Sequence, residues 1–223
     1  MTAIEISHFS DTLCVWAYVS QVRINELESE FGDQVQIDFC LLPVFGHARS
    51  KLETQWQSKG GIEAYNQHVI EIVKQFGHVD IHHDIWLTAA PHSSLPSHLF
   101  LSAVKIAEFQ QVVPPGSYSR LSWHFRESFF ARLADISDYQ VLCALAEDLD
   151  LPLAQIEEKI SKGEAYARLS IDMQAAKDLA VRSSPTMIFN NDRQRLAGNV
   201  GYRIIKANIS ELLENPSSQQ SWC

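Results

Sequence analysis

Apolar and polar residues alternate in two short segments of the chain, residues 2–9 and residues 35–39. A period of two residues is typical of a β-strand, so each segment is predicted as a strand. Between the two segments, apolar residues recur at helical spacing, and this pattern predicts a helix from residue 14 to about residue 31. A strand, a helix and a strand of these lengths predict a βαβ unit with a parallel strand pair.

The pattern of apolar positions is helical from about residue 54 to residue 180. Within this region residues 77–94 have no clean period, and they are predicted as a long loop. The six predicted helices cover residues 62–76, 97–110, 118–132, 138–149, 153–162 and 164–180.

The strand pattern returns after Pro185, where residues 186–189 are predicted as a strand. Residues 190–192 are Asn-Asn-Asp, which is typical of a hairpin turn, and residues 193–197 are the paired strand. A last helix is predicted over residues 202–214.

The predicted order is β-α-β, a block of helices, and then β-β-α. Neither set of strands could bury a sheet alone, so the two sets are predicted to form one discontinuous domain with a helical insertion. The predicted division is residues 1–53 with 181–214 for that domain, residues 54–180 for the inserted helical domain, and residues 215–223 for a tail.

Length and charge exclude several classes of protein. A chain of 223 residues can bury a full core without disulfides or metals. Its 18 basic and 27 acidic residues give a net charge of −9, which argues against binding of nucleic acid. No apolar run approaches the roughly 20 residues of a membrane helix, and the first segment resembles a strand more than a secretory leader. We therefore expect no membrane partner and a cytoplasmic location.

The four cysteines are Cys14, Cys40, Cys143 and Cys223, and no two of them form a C-x-x-C pair. Zinc-knuckle and dithiol redox motifs are therefore absent. Cys14 follows a predicted strand and begins a predicted helix, where free N–H groups and the helix dipole stabilise an anion. This position predicts a lowered thiol pKa and a reactive thiolate. The alternative is a buried structural cysteine, since free cysteines are often buried.

Two segments resemble the DsbA-like thioredoxin-fold family. Residues 9–18, F-S-D-T-L-C-V-W-A-Y, resemble its strand-to-helix turn with C-P-W-C, and residues 181–190, V-R-S-S-P-T-M-I-F-N, resemble its G-V-P-T-F-V-F-N segment. The family includes cytoplasmic DsbA-like oxidoreductases, 2-hydroxychromene-2-carboxylate isomerases and kappa-class glutathione transferases. The resemblance implies an α/β thioredoxin-like fold with a large all-helical insertion.

The resemblance also assigns site residues. It implies that Cys14 is the catalytic thiol and that the Ser184–Pro185 bond is cis and packs beside it. Trp16, Ala17, Ser184 and Pro185 would then bind the thiol substrate.

His98 is a further candidate in that binding site. Residues 93–96, S-S-L-P, resemble an N-S-L-P segment that lies over the active site of the isomerase and transferase relatives, and His92 and His98 flank them. The alternative is a helix start capped by Ser93 or Ser94.

The sequence departs from the family motif at two positions. Ala17 replaces the second cysteine and Val15 replaces the proline. An internal dithiol–disulfide cycle is therefore excluded at this motif, whereas a mixed disulfide with a partner remains open to one thiol.

Three functions stay open. The first is a thiol oxidoreductase that acts through Cys14, needs no cofactor and exchanges with a thiol-containing protein or small molecule. The second is a transferase or isomerase that uses glutathione, although residues 198–202 lack the acidic residue that binds glutathione in those relatives. The third is a redox-inactive binding module on the same scaffold. Oligomeric state is left open.

Two further features concern metals and the tail. His78, His82 and His83 match no zinc spacing, so no metal site is predicted. The polar tail ends in Trp222-Cys223, and Cys223 is a candidate resolving thiol for Cys14. The alternative is that Trp222 covers a surface patch and Cys223 has no role.

Overall fold

A computed structural model describes residues 3–216 of the chain. Its sheet contains four strands in the order β2-β1-β3-β4. The central strand β1 pairs in parallel with β2 and antiparallel with β3, and β3 forms an antiparallel hairpin with β4. The strands are β1 (Ile4–Ser10), β2 (Val35–Leu41), β3 (Thr186–Phe189) and β4 (Gln194–Ala197).

Ten helices accompany the sheet within the described residues. They are α1 (Val15–Phe31), α2 (Ala48–Trp56), α3 (Gly61–Val73), α4 (Ile85–Thr88), α5 (Leu95–Phe109), α6 (Ser117–Arg132), α7 (Tyr139–Glu147), α8 (Leu153–Ser161), α9 (Glu164–Asp178) and α10 (Tyr202–Glu214). None of them combines the length and apolar composition needed to cross a bilayer.

The predicted α/β fold with a helical insertion is confirmed, and two helices were missed. Helix α2 buries only Ala48 and Leu52, so its polar sequence shows almost no apolar stripe. Helix α4 is a four-residue turn inside the predicted loop, and it buries Ile85 and Trp86. The boundaries of the two predicted domains remain a prediction.

Three apolar clusters hold the sheet and the helices together. On one sheet face, β1 and β3 pack against α1 and α10 through residues such as Ile6, Leu27 and Ile209. A smaller cluster joins Phe9 and Ile188 to α9. The largest cluster belongs to the helical region, but it also includes the residues at the start of α1. The beginning of α1 therefore lies where the sheet meets the inserted helices.

Candidate functional site

Cys14 lies in the turn between β1 and α1. It is the N-cap residue of α1, with φ −83° and ψ 115°, and its backbone N–H donates to the carbonyl oxygen of Asp11 at 3.2 Å. Its thiol donates to the carbonyl oxygen of Ser184 at 3.2 Å. The Ser184–Pro185 bond is cis. The structure therefore brings Cys14 and the Ser184–Pro185 segment together across 170 residues of sequence.

The expected lowering of the Cys14 pKa is wrong. Burial raises the pKa of the thiol, because only 5% of the residue is exposed and a thiolate loses solvation there. The side chain of Ser184 and the backbone N–H groups of Ala17 and Trp16 act in the opposite direction. The effect of the helix start is therefore present, but burial outweighs it.

The other predicted binding residues lie on both sides of this turn. Ala17 is 2% exposed in the first turn of α1, and Trp16 is half-buried and packs on the helical cluster. Ser184 is 9% exposed, and its hydroxyl oxygen accepts the backbone N–H of Asp11 at 2.9 Å. The Ser184 side chain thus fastens the proline segment to the turn that carries Cys14. Their roles in substrate binding stay predictions.

His98, which is predicted to bind the substrate, has a fully buried side chain. The ring nitrogen Nε2 accepts the backbone N–H of Thr12 at 3.3 Å and lies 3.6 Å from Oδ1 of Asp11. It therefore supports the turn from inside, and its role in substrate binding stays a prediction. Ser94 is the N-cap residue of α5, but its hydroxyl donates to Asp11 and caps no helical N–H group. The hydroxyl oxygen of Ser93 instead accepts the backbone N–H of Leu95, the first residue of α5, at 3.0 Å.

The carboxylate of Asp11 was missed as a central group of the site. It is fully buried and accepts the backbone N–H groups of Leu13 and Phe45, each at 2.8 Å, and the hydroxyl of Ser94 at 2.9 Å. Burial acts to raise the pKa of Asp11, but the hydrogen bonds that its carboxylate accepts from Phe45 and Leu13 act to lower it, and the pKa is lowered overall. Asp11 therefore ties the Cys14 turn to the segment before α2 and to the start of α5.

The position of Asp11 in the sequence did carry a signal. It lies three residues before Cys14 in a polar segment, S-D-T, which resembles a source of helix caps. In the structure no side chain caps α1. A charged residue between a buried strand and a buried helix start can instead accept hydrogen bonds inside the protein. Only tertiary packing decides whether such a residue caps the helix or is buried as an acceptor.

Two other candidates lie elsewhere. His82, His83 and Asp84 place potential metal ligands within 4.8 Å of one another. However, Nδ1 of His82 accepts the backbone N–H of Asp84 at 3.1 Å, so a neutral ring carries its proton on the other nitrogen. His82 then has no free lone pair for a metal. Cys223, the candidate resolving thiol, is outside the described residues.

Comparison with known proteins places these features in a family. The family model described as thioredoxin matches residues 8–207. The curated relatives include the ClpXP adapter protein SpxH of Halalkalibacterium halodurans, which is 26% identical over 94% of this chain and 68% of that protein. SpxH of Bacillus subtilis is 23% identical over the same shares.

Solved structures share the fold at low sequence identity. The probable DsbA oxidoreductase SCO1869 from Streptomyces coelicolor has a TM-score of 0.70 and 15% identity, over 98% of this chain and 93% of that chain. The cytosolic disulfide reductase DsbM from Pseudomonas aeruginosa has a TM-score of 0.64 and 14% identity, over 95% and 98%. A 2-hydroxychromene-2-carboxylate isomerase has a TM-score of 0.62 and 12% identity, over 97% and 100%. These matches agree with the resemblance found in the sequence.

Proposed function

Because this chain belongs to the thioredoxin family, we propose that it is a single-thiol oxidoreductase in which Cys14 exchanges with a disulfide. The ligand is a thiol-containing protein or small molecule, with glutathione as the simplest example. The proposal needs no cofactor. A reducing cytoplasm would supply the thiols that complete the exchange.

The reaction needs only one thiol on the chain. The Cys14 thiol loses its proton, and the thiolate attacks one sulfur of the partner disulfide. A new sulfur–sulfur bond forms as the old one breaks, and the departing sulfur leaves as a thiolate that takes up a proton. A second external thiol then attacks the mixed disulfide and regenerates Cys14. Because Ala17 is not a cysteine, the motif around Cys14 supplies no second thiol.

The observation that carries this proposal is the contact between Cys14 and Ser184. The thiol sulfur lies 3.2 Å from the carbonyl oxygen of Ser184, directly before Pro185. A backbone segment beside a reactive thiol can pair with an extended ligand as an added strand, and the ligand sulfur is then held against the thiol. Cys40 and Cys143 are also buried, so burial alone does not distinguish Cys14 from them.

Incubation of the reduced protein with glutathione disulfide tests the proposal, with peptide mapping by mass spectrometry after a series of times. We expect glutathione on Cys14 at least tenfold faster than on Cys40, because only Cys14 of the two contacts the Ser184–Pro185 segment, which can pair with an extended ligand. Cys40 and Cys143 are internal controls in the same sample. Modification of Cys14 no faster than Cys40 would contradict the proposal.

A second candidate function is binding of a protein partner without redox chemistry. Two curated relatives that match 94% of this chain are ClpXP adapters, and the second motif cysteine is absent here. An adapter acts through its surface, so a Cys14→Ser variant would bind ClpXP as tightly as the natural chain does. Binding of purified ClpXP to both proteins, measured by interferometry, separates the candidates. No binding by either protein would reject the adapter function.

A further inference from the structure

Arg126 in α6 is a buried cation without an acidic partner. The residue is 4% exposed, and its guanidinium donates to the hydroxyls of Ser10 at 2.9 Å and Ser122 at 3.0 Å. A longer bond of 3.4 Å reaches the side-chain oxygen of Gln21. Within residues 3–216 no carboxylate forms an ion pair with it. A buried guanidinium paired only with neutral groups is costly, and it therefore calls for an explanation.

The contacts of Arg126 place its charge next to the Cys14 turn. Ser10 is the last residue of β1, four positions before Cys14, and Gln21 lies in the second turn of α1. The guanidinium thus bridges the two elements that flank the thiol. His8, which is also buried, interacts electrostatically with Arg126, and burial lowers the pKa of His8 to about 3. His8 is therefore neutral and adds no second charge.

Lys51 in α2 is a second cation that approaches the same turn. Its ammonium group donates to the carbonyl oxygen of Val44 at 2.8 Å and lies 4.5 Å from the ring centre of Phe45. The backbone N–H of Phe45 in turn bonds the carboxylate of Asp11. Lys51 is half-buried and has no ion pair within the described part of the chain.

The titratable groups that interact with Cys14 come from the turn itself and from three helices. Asp11 lies in the turn itself, Lys51 in α2, Tyr65 in α3 and Arg126 in α6, and each interacts electrostatically with Cys14. Tyr65 is buried and neutral, because burial raises the pKa of its phenol strongly. Asp11 opposes a negative charge on Cys14, whereas the two cations favour it.

We infer that Lys51 and Arg126 are positioning residues for Cys14, whose charges stabilise the thiolate formed in exchange and offset the effects of burial and of Asp11. The inference rests on the proposed function. An arginine cannot lose its proton in a protein, so Arg126 supplies a permanent charge. Because that charge is buried, water and salt screen it little. Without these two charges, the thiolate would form in a site nearly closed to solvent, with neither cation to offset its loss of solvation.

Alkylation of Cys14 by iodoacetamide between pH 6 and pH 10, followed by peptide mass spectrometry, tests the inference. We expect Arg126→Met and Lys51→Met each to slow alkylation of Cys14 at pH 7 roughly tenfold and to move the midpoint of the pH profile up by about one unit. Methionine keeps much of the side-chain volume, and removal of an unpaired buried charge is compatible with folding. Circular dichroism and thermal unfolding check the fold of each variant.

Matched controls exist on neighbouring elements. Lys59 lies over the ring of Trp56 at 4.9 Å, as Lys51 lies over Phe45, and Arg132 is an exposed arginine at the end of α6. Lys59→Met and Arg132→Met are expected to leave the pH profile unchanged, and Lys51→Arg is expected to restore it.

The outcomes separate the two levels of the proposal. If the natural protein reacts at Cys14, but the Arg126 and Lys51 variants have the same pH profile of alkylation as the natural protein, the inference is overturned and the proposed function stands. If natural Cys14 is inert to both glutathione disulfide and iodoacetamide, the proposed function fails and the inference fails with it. A midpoint shift in the two control variants as large as in the test variants would also overturn the inference.

Discussion

Replacement of Asp11 by asparagine is expected to lower the free energy of unfolding by about 3 kcal/mol. The carboxylate is fully buried and accepts two backbone N–H groups and one hydroxyl. Asparagine has nearly the same shape but turns one acceptor oxygen into a donor. In the natural chain Oδ1 accepts the N–H of Leu13, and Oδ2 accepts the N–H of Phe45 and the hydroxyl of Ser94. Whichever oxygen the amide nitrogen replaces, at least one buried donor loses its acceptor. Urea unfolding at pH 7, followed by circular dichroism, measures the change.

Asp138→Asn provides the control for this prediction. Asp138 also accepts a backbone N–H group, from Gln140 at 2.8 Å, but it is an exposed N-cap of α7. Asparagine caps helices well, so a loss of less than about 1 kcal/mol is expected there. If the two variants lose the same free energy of unfolding, the burial of Asp11 adds nothing to its contribution to stability, and the prediction is wrong.

The same measurement has a defined dependence on pH. The pKa of Asp11 is lowered on folding from its usual value of 3.8. Its contribution is therefore fully present above about pH 4 and is lost as the pH falls through the lower pKa of the folded state. The difference in unfolding free energy between the natural chain and Asp11→Asn should shrink at pH 3 or below. A difference that grows under acid would contradict the assignment of Asp11 as a buried carboxylate.

Replacement of Ala17 by cysteine is expected to convert the single thiol into a dithiol. Residue 17 lies in the first turn of α1, three residues after Cys14, and residues at this spacing share one face of a helix. Mild oxidation should then remove both thiols together, and the lifetime of a mixed disulfide between Cys14 and glutathione should fall by on the order of a hundredfold.

Thiol counting and non-reducing peptide mapping measure this change, with Ala17→Ser as the control. Serine introduces a polar atom at the same position but cannot resolve a mixed disulfide, so its lifetime should stay close to that of the natural chain. Recovery of Cys14 and the introduced cysteine as two free thiols after oxidation would mean that the turn holds them too far apart.

Several features of the fold could be predicted from the sequence because local pattern and burial agree there. Strand β2 alternates apolar and polar residues, and helix α5 has a long apolar face. Helix α2 could not be predicted in this way, since two buried residues in nine leave a polar sequence. In such a segment the helix is stabilised by its neighbours more than by its own pattern.

The candidate site also contains residues that a local motif identifies and residues that only tertiary packing brings together. Cys14 and Pro185 could be identified because short motifs surround them. The direction of the thiol pKa could not, since it depends on how deeply distant helices bury the turn. Lys51 and Arg126 carry no motif, and they approach the turn only because α2 and α6 pack there. His98 was identified from its segment, but its burial behind the turn could not be predicted.

The pairing of β1 has a consequence for synthesis of the chain. One edge of β1 binds β2, which follows within a few tens of residues, but the other edge pairs Phe9 with Thr186. At ribosomal speeds of about 5–20 residues per second, the second partner of β1 is made roughly 10–35 s after the first residues of the strand. During that interval an unpaired strand edge is open to other chains. The newly made chain should therefore depend on chaperones until β3 has been synthesised.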